Sequence, residues 1–584
     1  MKKLIKIICF LTAVSILFSA CSSKQNVKEE NMENTYKPDT NYNEKYKLRD
    51  KKDLYTAYNP EDVVTMYLTV STGNEGEGTN HTWSEINTYS VYDYDSMGVD
   101  RYKVEGLLQI GDESGPLPGN VGYNQVSPNC TIQIRGQSSS RQPIKNYKIS
   151  LKDNKGTWMS NSTIPLNKHV NEGLRFRNKL AYDLIAGVEQ MMGLRTKFVH
   201  LYVKDTTKGG NNKFTDYGLY TYVEQLNKKT LKAHGLDANS HLYKINEFEF
   251  YRYEDIIKLK DEPDFNEAAF EELIETKGND DHKKLIKMLE DVNDFSKPIE
   301  DILDKHFDIE NLSYWMAFHI LTGNADTQNR NVYIYSPLNL DKWYFISWDN
   351  DGCLNKTEYA LKGRVSYGEW ETGVSNYWGN VLYQRALKSE KYQKALEKAI
   401  NDLRKNYLTK DKIDAISKRY SSIVKPYVYS YPDILHTSLT PSQYDTVVKS
   451  LSAEIDTNYY LYKESLKKSM PFFIDLPQKK GNKLILSSES SFDFNSEKIT
   501  YDMKLAKDVN FNNVIFSSED VTLPVAEINM LPRGQYFLKV TATNESGYTQ
   551  TAFDYYYTDI GKKYGVKCFY IDAKGNVVED VYED

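Results

Sequence analysis

Gly323-Asn324-Ala325-Asp326-Thr327-Gln328-Asn329-Arg330-Asn331, then Val332-Tyr333-Ile334-Tyr335, then Trp343-Tyr344-Phe345-Ile346-Ser347-Trp348-Asp349-Asn350-Asp351 is the stretch on which the fold turns. Its two apolar runs are β-branched and aromatic, and Ser336 to Lys342 between them carries Pro337 and Asn339 as turn formers. That pattern predicts an antiparallel hairpin. In such a pair the first residue of one strand and the last of its partner lie at the same end. Asn331 and Asp349 are thereby brought together, and Asp326 sits in the loop that feeds that end. An amide oxygen and a carboxylate converging there suit a hard cation such as Mg²⁺, with phosphate oxygens completing its shell. Asp351 joins this candidate metal set, and Asp326 is placed to orient or deprotonate a hydroxyl. Loop Asn and Asp residues that only cap turns, or that hold Ca²⁺, are the competing readings.

Upstream, Arg135-Gly136-Gln137-Ser138-Ser139-Ser140 joins two expected strands, Thr131 to Arg135 and Lys145 to Leu151. One glycine among small hydroxyl residues lets backbone N–H groups approach phosphates, although an ordinary hairpin turn has the same composition. By alternation Lys145 shares a face with Tyr147, Ile149 and Leu151, while Lys148 points the other way. A lysine on an apolar face is costly unless an anion awaits it. Lys145 is therefore the phosphate-binding candidate, with a lysine snorkelling from the strand end as the alternative. Glu224 closes the strand Tyr217 to Val223 and is expected to pair with Lys145, or else to lie solvated at the strand end.

The order of a base Asp, an Asn five residues on, a hairpin and a metal Asp follows protein-kinase logic, without a His-Arg-Asp or an Asp-Phe-Gly. With these pieces stand Pro143-Ile144-Lys145-Asn146-Tyr147, Arg177-Asn178-Lys179-Leu180-Ala181-Tyr182-Asp183-Leu184 and Tyr217-Gly218-Leu219-Tyr220 with Glu224-Gln225. Together they resemble, in family order over roughly residues 60 to 420, the spore-coat-protein-H (CotH) kinase family of atypical bacterial kinases. The resemblance implies a heavily diverged protein-kinase-like fold and ATP- and Mg²⁺- (or Mn²⁺-) dependent phosphorylation of protein Ser or Thr. It implies Asp326 as the catalytic-loop acid, Asn331 and Asp349 as metal ligands, and Lys145 as the lysine after the loop. A surface scaffold with a degenerate kinase-like domain is the alternative function.

The chain has 584 residues, 74 Lys+Arg against 81 Asp+Glu and a net charge of −7, which argues against a general nucleic-acid binder. With 40% hydrophobic and 27% charged residues, a packed core is expected, and 47 tyrosines bias it toward α+β structure. Lys2, Lys3 and Lys6 precede an apolar run from Ile7 to Ala20, as in a signal peptide spanning residues 1–20. Phe18-Ser19-Ala20-Cys21 resembles a lipobox, so Cys21 is expected to carry lipid and hold the exported protein to a membrane; a plain secretory signal is the alternative. Residues 21–58 read as a flexible tether, 59–470 as the kinase-like domain, and 475–584 as a fibronectin type III-like β-sandwich with a C-terminal tail. Residues 81–125 read as further β structure, 177–192 as an amphipathic helix, and 311–322 as a helix with one apolar face. Cys130, Cys353 and Cys568 have no motif spacing and no assigned role.

Overall fold

Alternation of apolar and polar residues builds the first layer of the computed structural model, which describes residues 46–580 apart from 58, 365–367, 369 and 560. The signal sequence, Cys21 and most of the tether lie outside the described residues. Strands β1 (Val63–Ser71), β2 (Val104–Asp112), β3 (Gly115–Pro116) and β4 (Cys130–Arg135) are followed by β5 (Asn146–Leu151), β6 (Thr163–Asn167), β7 (Thr196–Asp205) and β8 (Phe214–Val223). They lie in the order β1-β7-β8-β6-β5-β4-β2-β3, and β1 also pairs with β2, so the sheet closes on itself. Met66, Leu68, Ile132, Ile134, Tyr147, Ile149, Leu201 and Tyr220 fill the interior as one buried cluster. At ~1.5–3 kcal/mol for each large side chain buried, a one-residue slip that turned a strand's set outward would be prohibitive.

Residues 81–125 are not simply further β structure. Two short helices, Trp83–Thr88 and Val91–Met97, precede β2, each opened by a capping box: Thr82 with Glu85, and Ser90 with Asp93. They cover one end of the barrel, where Trp83 stacks on Tyr147 with centroids 5.0 Å apart.

The second layer is helical around a four-stranded antiparallel sheet, β9 (His241–Ile245), β10 (Ile274–Thr276), β11 (Val332–Ser336) and β12 (Tyr344–Ser347), in the order β10-β9-β11-β12. The expected hairpin is β11–β12, with Val332 opposite Ser347. Helix Ile309–Thr322 is capped by Asp308 at its start and by left-handed Gly323 at its end. Its residues from Asn311 onward are buried on every side, because it packs against β12 and the helices Glu390–Asp402 and Pro441–Ser465. The helix expected over 177–192 stops at Ala186 and is buried nearly all round. Its polar residues are turned inward to partners: Arg177 to Glu358 and Lys179 to Asp183.

Residues beyond 470 form two β-sheets that share one apolar core, including Leu484, Leu486, Met503, Leu538, Val540 and Phe569. A further hairpin pairs Tyr555–Thr558 with Gly561–Tyr564. This region packs directly on the helical layer: Phe553 joins the helical core, and Trp378 stacks on Phe492 at 5.2 Å. At the other end of the chain, the Tyr46 carbonyl accepts from the Tyr344 hydroxyl at 2.5 Å, and the Lys342 ammonium lies 4.8 Å from the Tyr46 ring centre. Among the described residues, no helix is long and apolar enough to cross a membrane.

Candidate functional site

The hairpin delivers its end residues as its register requires. Trp348 N–H donates to the Asn331 carbonyl at 3.1 Å, so Asn331 and Asp349 flank one end of β11–β12. Both adopt left-handed backbone, φ 58° at Asn331 and φ 52° at Asp349. Side-chain-bearing residues adopt that conformation at a cost, and such residues cluster at functional sites. Asp326 lies in the one-turn helix Ala325–Thr327 and accepts a hydrogen bond from Asn331 Nδ2 at 2.9 Å. The loop is fixed from behind: Asn376 donates to Ala325 O at 3.0 Å, Asn380 to Gln328 O at 3.1 Å, and Thr327 Oγ1 meets Tyr377 Oη at 3.0 Å.

The three acids repel one another. Burial pushes the Asp349 carboxyl up to about 7, with Asp351 and Asp326 adding to the rise while His169 and Arg135 oppose it. Asp326 is also raised, by loss of water on its inner side; Arg330 offsets part of this and Asp351 adds to it. Carboxylates so placed favour a positive ion between them. Asp351 is steadied by His169, whose Nδ1 lies 3.6 Å from it, and Asn178 Oδ1 accepts the Asn350 N–H at 3.1 Å. Tyr182 Oη accepts the Asp349 N–H at 3.2 Å. No three His, Cys, Asp or Glu side chains among the described residues are grouped to hold a metal on their own. The donor set here is two carboxylates and an amide. It fits an ion such as Mg²⁺, which usually keeps few protein ligands and draws the rest from water or phosphate.

Arg135 lies beside the acid-bearing end of the hairpin, within a group of cations. Arg135 ends β4 with its guanidinium carbon 6.0 Å from the Trp348 ring centre. Its charged form is disfavoured by burial and supported by Asp349. Gln133 pairs with Lys148 and Arg135 with Asn146 across β4–β5, so Arg135 and Lys148 project from the same, outer face. The Lys148 ammonium is lowered, first by loss of hydration and then by the like charges of Lys277, Arg135, Lys103 and Arg101.

Lys145 does not stand on an open face, as alternation suggested. The apolar face of β5 looks into the packed barrel, not into the cleft. Lys145 is 5% exposed and donates to the Ser140 carbonyl at 2.6 Å, which engages one of its three donors within the protein. Nor does Glu224 pair with Lys145. Fully buried, it accepts from Arg195 Nε at 3.1 Å and meets His234 Nε2 at 3.0 Å. Burial would raise its carboxyl, but His234 and Arg195 hold it below the usual range.

The loop between β4 and β5 follows directly on Arg135. Gly136 has φ 93°, and a Cβ there would lie 2.1 Å from Ser139 Oγ. Ser138 is exposed, Ser139 Oγ accepts from Asn146 Nδ2 at 3.0 Å, and Ser140 is buried. The cations missed in the sequence were legible once the barrel is known to be full: Lys148 alternates onto the face of Arg135. Arg101, Lys103 and Lys277 come from distant segments, and no local pattern announced them.

A family model described as CotH kinase protein matches residues 132–467, more than half of the chain. Among curated proteins, the inner spore coat protein H of Bacillus subtilis (strain 168) is 22% identical over 321 residues, which cover 55% of this chain and 83% of that protein.

Proposed function

Because the chain belongs to the CotH kinase protein family, we propose that it is an atypical protein kinase transferring the γ-phosphoryl group of ATP to a protein Ser or Thr hydroxyl. The observation that carries this reading is the meeting of Asn331, Asp349 and Asp326 at one hairpin end, beside Arg135, whose strand face Lys148 shares. In this reading the barrel and the helical layer are the two lobes of a diverged kinase-like domain, and the C-terminal β-region is a fibronectin type III-like module.

Asn331 gives its Nδ2 to Asp326, and its Oδ1 with the carboxylates of Asp349 and Asp351 would hold the ion. A bound Mg²⁺ or Mn²⁺ supplies positive charge to the phosphate oxygens and relieves the repulsion among the acids. Arg135 and Lys148, with the loop Gly136, Ser138 and Ser139, hold the phosphates. Asp326 orients the acceptor hydroxyl and takes its proton as the new O–P bond forms and ADP departs. Positioning and charge neutralisation carry the rate.

We place the protein on the cell envelope, held through lipid on Cys21; the relative's name as a spore coat protein supports an extracytoplasmic site. The test is incubation of the purified protein with γ-labelled ATP and Mg²⁺ or Mn²⁺. Label transferred to an acceptor protein is the expected result. Failure to bind nucleotide in calorimetry refutes it in favour of the non-catalytic scaffold.

A further inference from the structure

We propose that the junction between the helices Lys410–Val428 and Pro441–Ser465 is a membrane-contact surface, which seats an exposed apolar tip and neighbouring lysines on a bilayer with anionic headgroups. The proposal stands independently of the phosphoryl-transfer reading.

Tyr431-Pro432-Asp433-Ile434-Leu435-His436 joins the two helices through the one-turn helix Asp433–His436. Three large side chains in this short segment are left to solvent: Tyr431 is 69% exposed, Leu435 66% and Ile434 45%. Such exposure would be ordinary on a loose loop, but this one is pinned. Asp433 is buried, with Oδ1 2.7 Å from Lys168 Nζ and Oδ2 accepting the Leu219 N–H at 2.9 Å. Arg175 Nη2 donates to the His436 carbonyl at 3.0 Å. Lys168 also donates to the Tyr217 carbonyl at 2.6 Å, and its ammonium lies 4.3 Å from the Tyr220 ring centre. A buried ion pair costs desolvation of both charges and adds little stability. Here it fixes a tip whose apolar side chains face water.

An open groove of about 460 Å³ is lined by Lys418, Ser421, Ser422, Lys425, Tyr429 and Pro441, the last two from the chain on either side of the tip. Its helix positions recur every three or four residues, on a different face from the buried Tyr420, Val424 and Val428. Lys425 pairs with Asp445, whereas Lys418 is exposed and in no ion pair among the described residues. Over residues 404–449 eight Lys and Arg stand against four Asp and Glu, in a chain of net charge −7. The junction is thus basic on an acidic protein, and that decides among partners. Lysines and serine hydroxyls suit phosphate-bearing headgroups, while Tyr, Ile and Leu suit the boundary between headgroup and acyl chain. A soluble anion or a nucleic acid leaves the apolar tip uncovered. A second copy of this chain would set two basic patches face to face. A contact of this size is reversible on its own; it orients the protein at the surface and does not retain it there.

The test uses the chain from residue 22 onward, so that neither signal nor lipid contributes. It is floated with an excess of mixed phosphatidylglycerol and phosphatidylcholine vesicles, and with phosphatidylcholine vesicles alone. The expected result is flotation with the anionic vesicles, falling as salt is raised. Tyr431→Ser combined with Leu435→Ser should weaken that binding about tenfold. Lys418→Gln should weaken it about fivefold on the anionic vesicles alone. All three side chains are exposed, so thermal melts should stay as in the parent. No flotation with anionic vesicles overturns the proposal, as do equal flotation with neutral vesicles and a double variant that binds as the parent does. Light scattering covers the other occupant: a dimer abolished by the double variant, without vesicle binding, gives the surface to a second copy and overturns the membrane contact.

Discussion

Exchanging Lys148 and Lys145 for methionine, one at a time, separates a cleft lysine from a barrel lysine. Lys148 stands on the outer face of β5 among four other cations and, among the described residues, has no carboxylate within 4 Å. A polyphosphate entering the cleft relieves their mutual repulsion. One hydrogen bond to a charged group contributes about 1.5–3 kcal/mol, and each 1.4 kcal/mol is tenfold in affinity. Lys148→Met should therefore weaken MgATP binding roughly 10- to 100-fold, with thermal stability unchanged or raised because one repelling charge is gone. Lys145→Met removes the partner of the Ser140 carbonyl and should cost about 1–2 kcal/mol of stability, while nucleotide affinity stays within about twofold of the parent. Calorimetric titration with a non-hydrolysable ATP analogue and a thermal melt of each variant provide the readouts. Stronger loss of nucleotide from Lys145→Met than from Lys148→Met would refute the outward-face assignment.

Asp349→Asn should abolish transfer and yet raise the unfolding temperature at pH 8 without divalent ion. A carboxyl raised from 3.8 to about 7 in the fold takes up a proton on folding, so its contribution to stability falls as pH rises through that window. The gain should be about 2–4 kcal/mol at pH 8 and vanish near pH 4; a variant no more stable than the parent contradicts the crowding of acids. Gly136→Ala should slow transfer and loosen nucleotide by about tenfold, since a left-handed φ costs ~1–2 kcal/mol in a residue with a side chain; unchanged kinetics would show that the loop does not touch the phosphates. His234 bridges Asp50 at 2.7 Å and Glu224 at 3.0 Å, and these acids raise its imidazole above the ordinary 6.5 despite burial. The stability it adds is complete below that value and lost as pH rises through the raised pKa. Hydrogen exchange over residues 48–56 should quicken in that upper window, and His234→Gln should erase the pH dependence. Cys21→Ser should move the protein from the membrane fraction to the medium, and persistence at the membrane would refute the lipid anchor.

Local periodicity made the strands and the β11–β12 hairpin legible, and with them the meeting of Asn331 and Asp349. A period of two fixes which residues share a face, and a short turn fixes which ends meet. It does not say which face is the cleft. Lys145 shows this: its face is apolar because it lines a closed barrel, and closure depends on β1 pairing with β2 across a long stretch of chain. Glu224 shows the same limit. Its partners Arg195 and His234 come from a strand border and a helix end, and no strand pattern names them. The two capping boxes at Thr82 and Ser90 are local signals, but they stand among aromatic residues that favour strands. The helix Arg177–Ala186 was placed correctly at its start and misjudged in character, since its charged residues are buried against partners rather than solvated.

The docking of Tyr46 against Tyr344 and Lys342 has a directional consequence. Tyr344 opens β12, and Asp349 stands just past its other end, about 15 Å away at the rise of an extended strand. Asp50, pinned to His234, keeps the entering segment from swivelling. The described chain thus begins against the turn-side end of the hairpin, and the acid-bearing residues lie at the hairpin's other end.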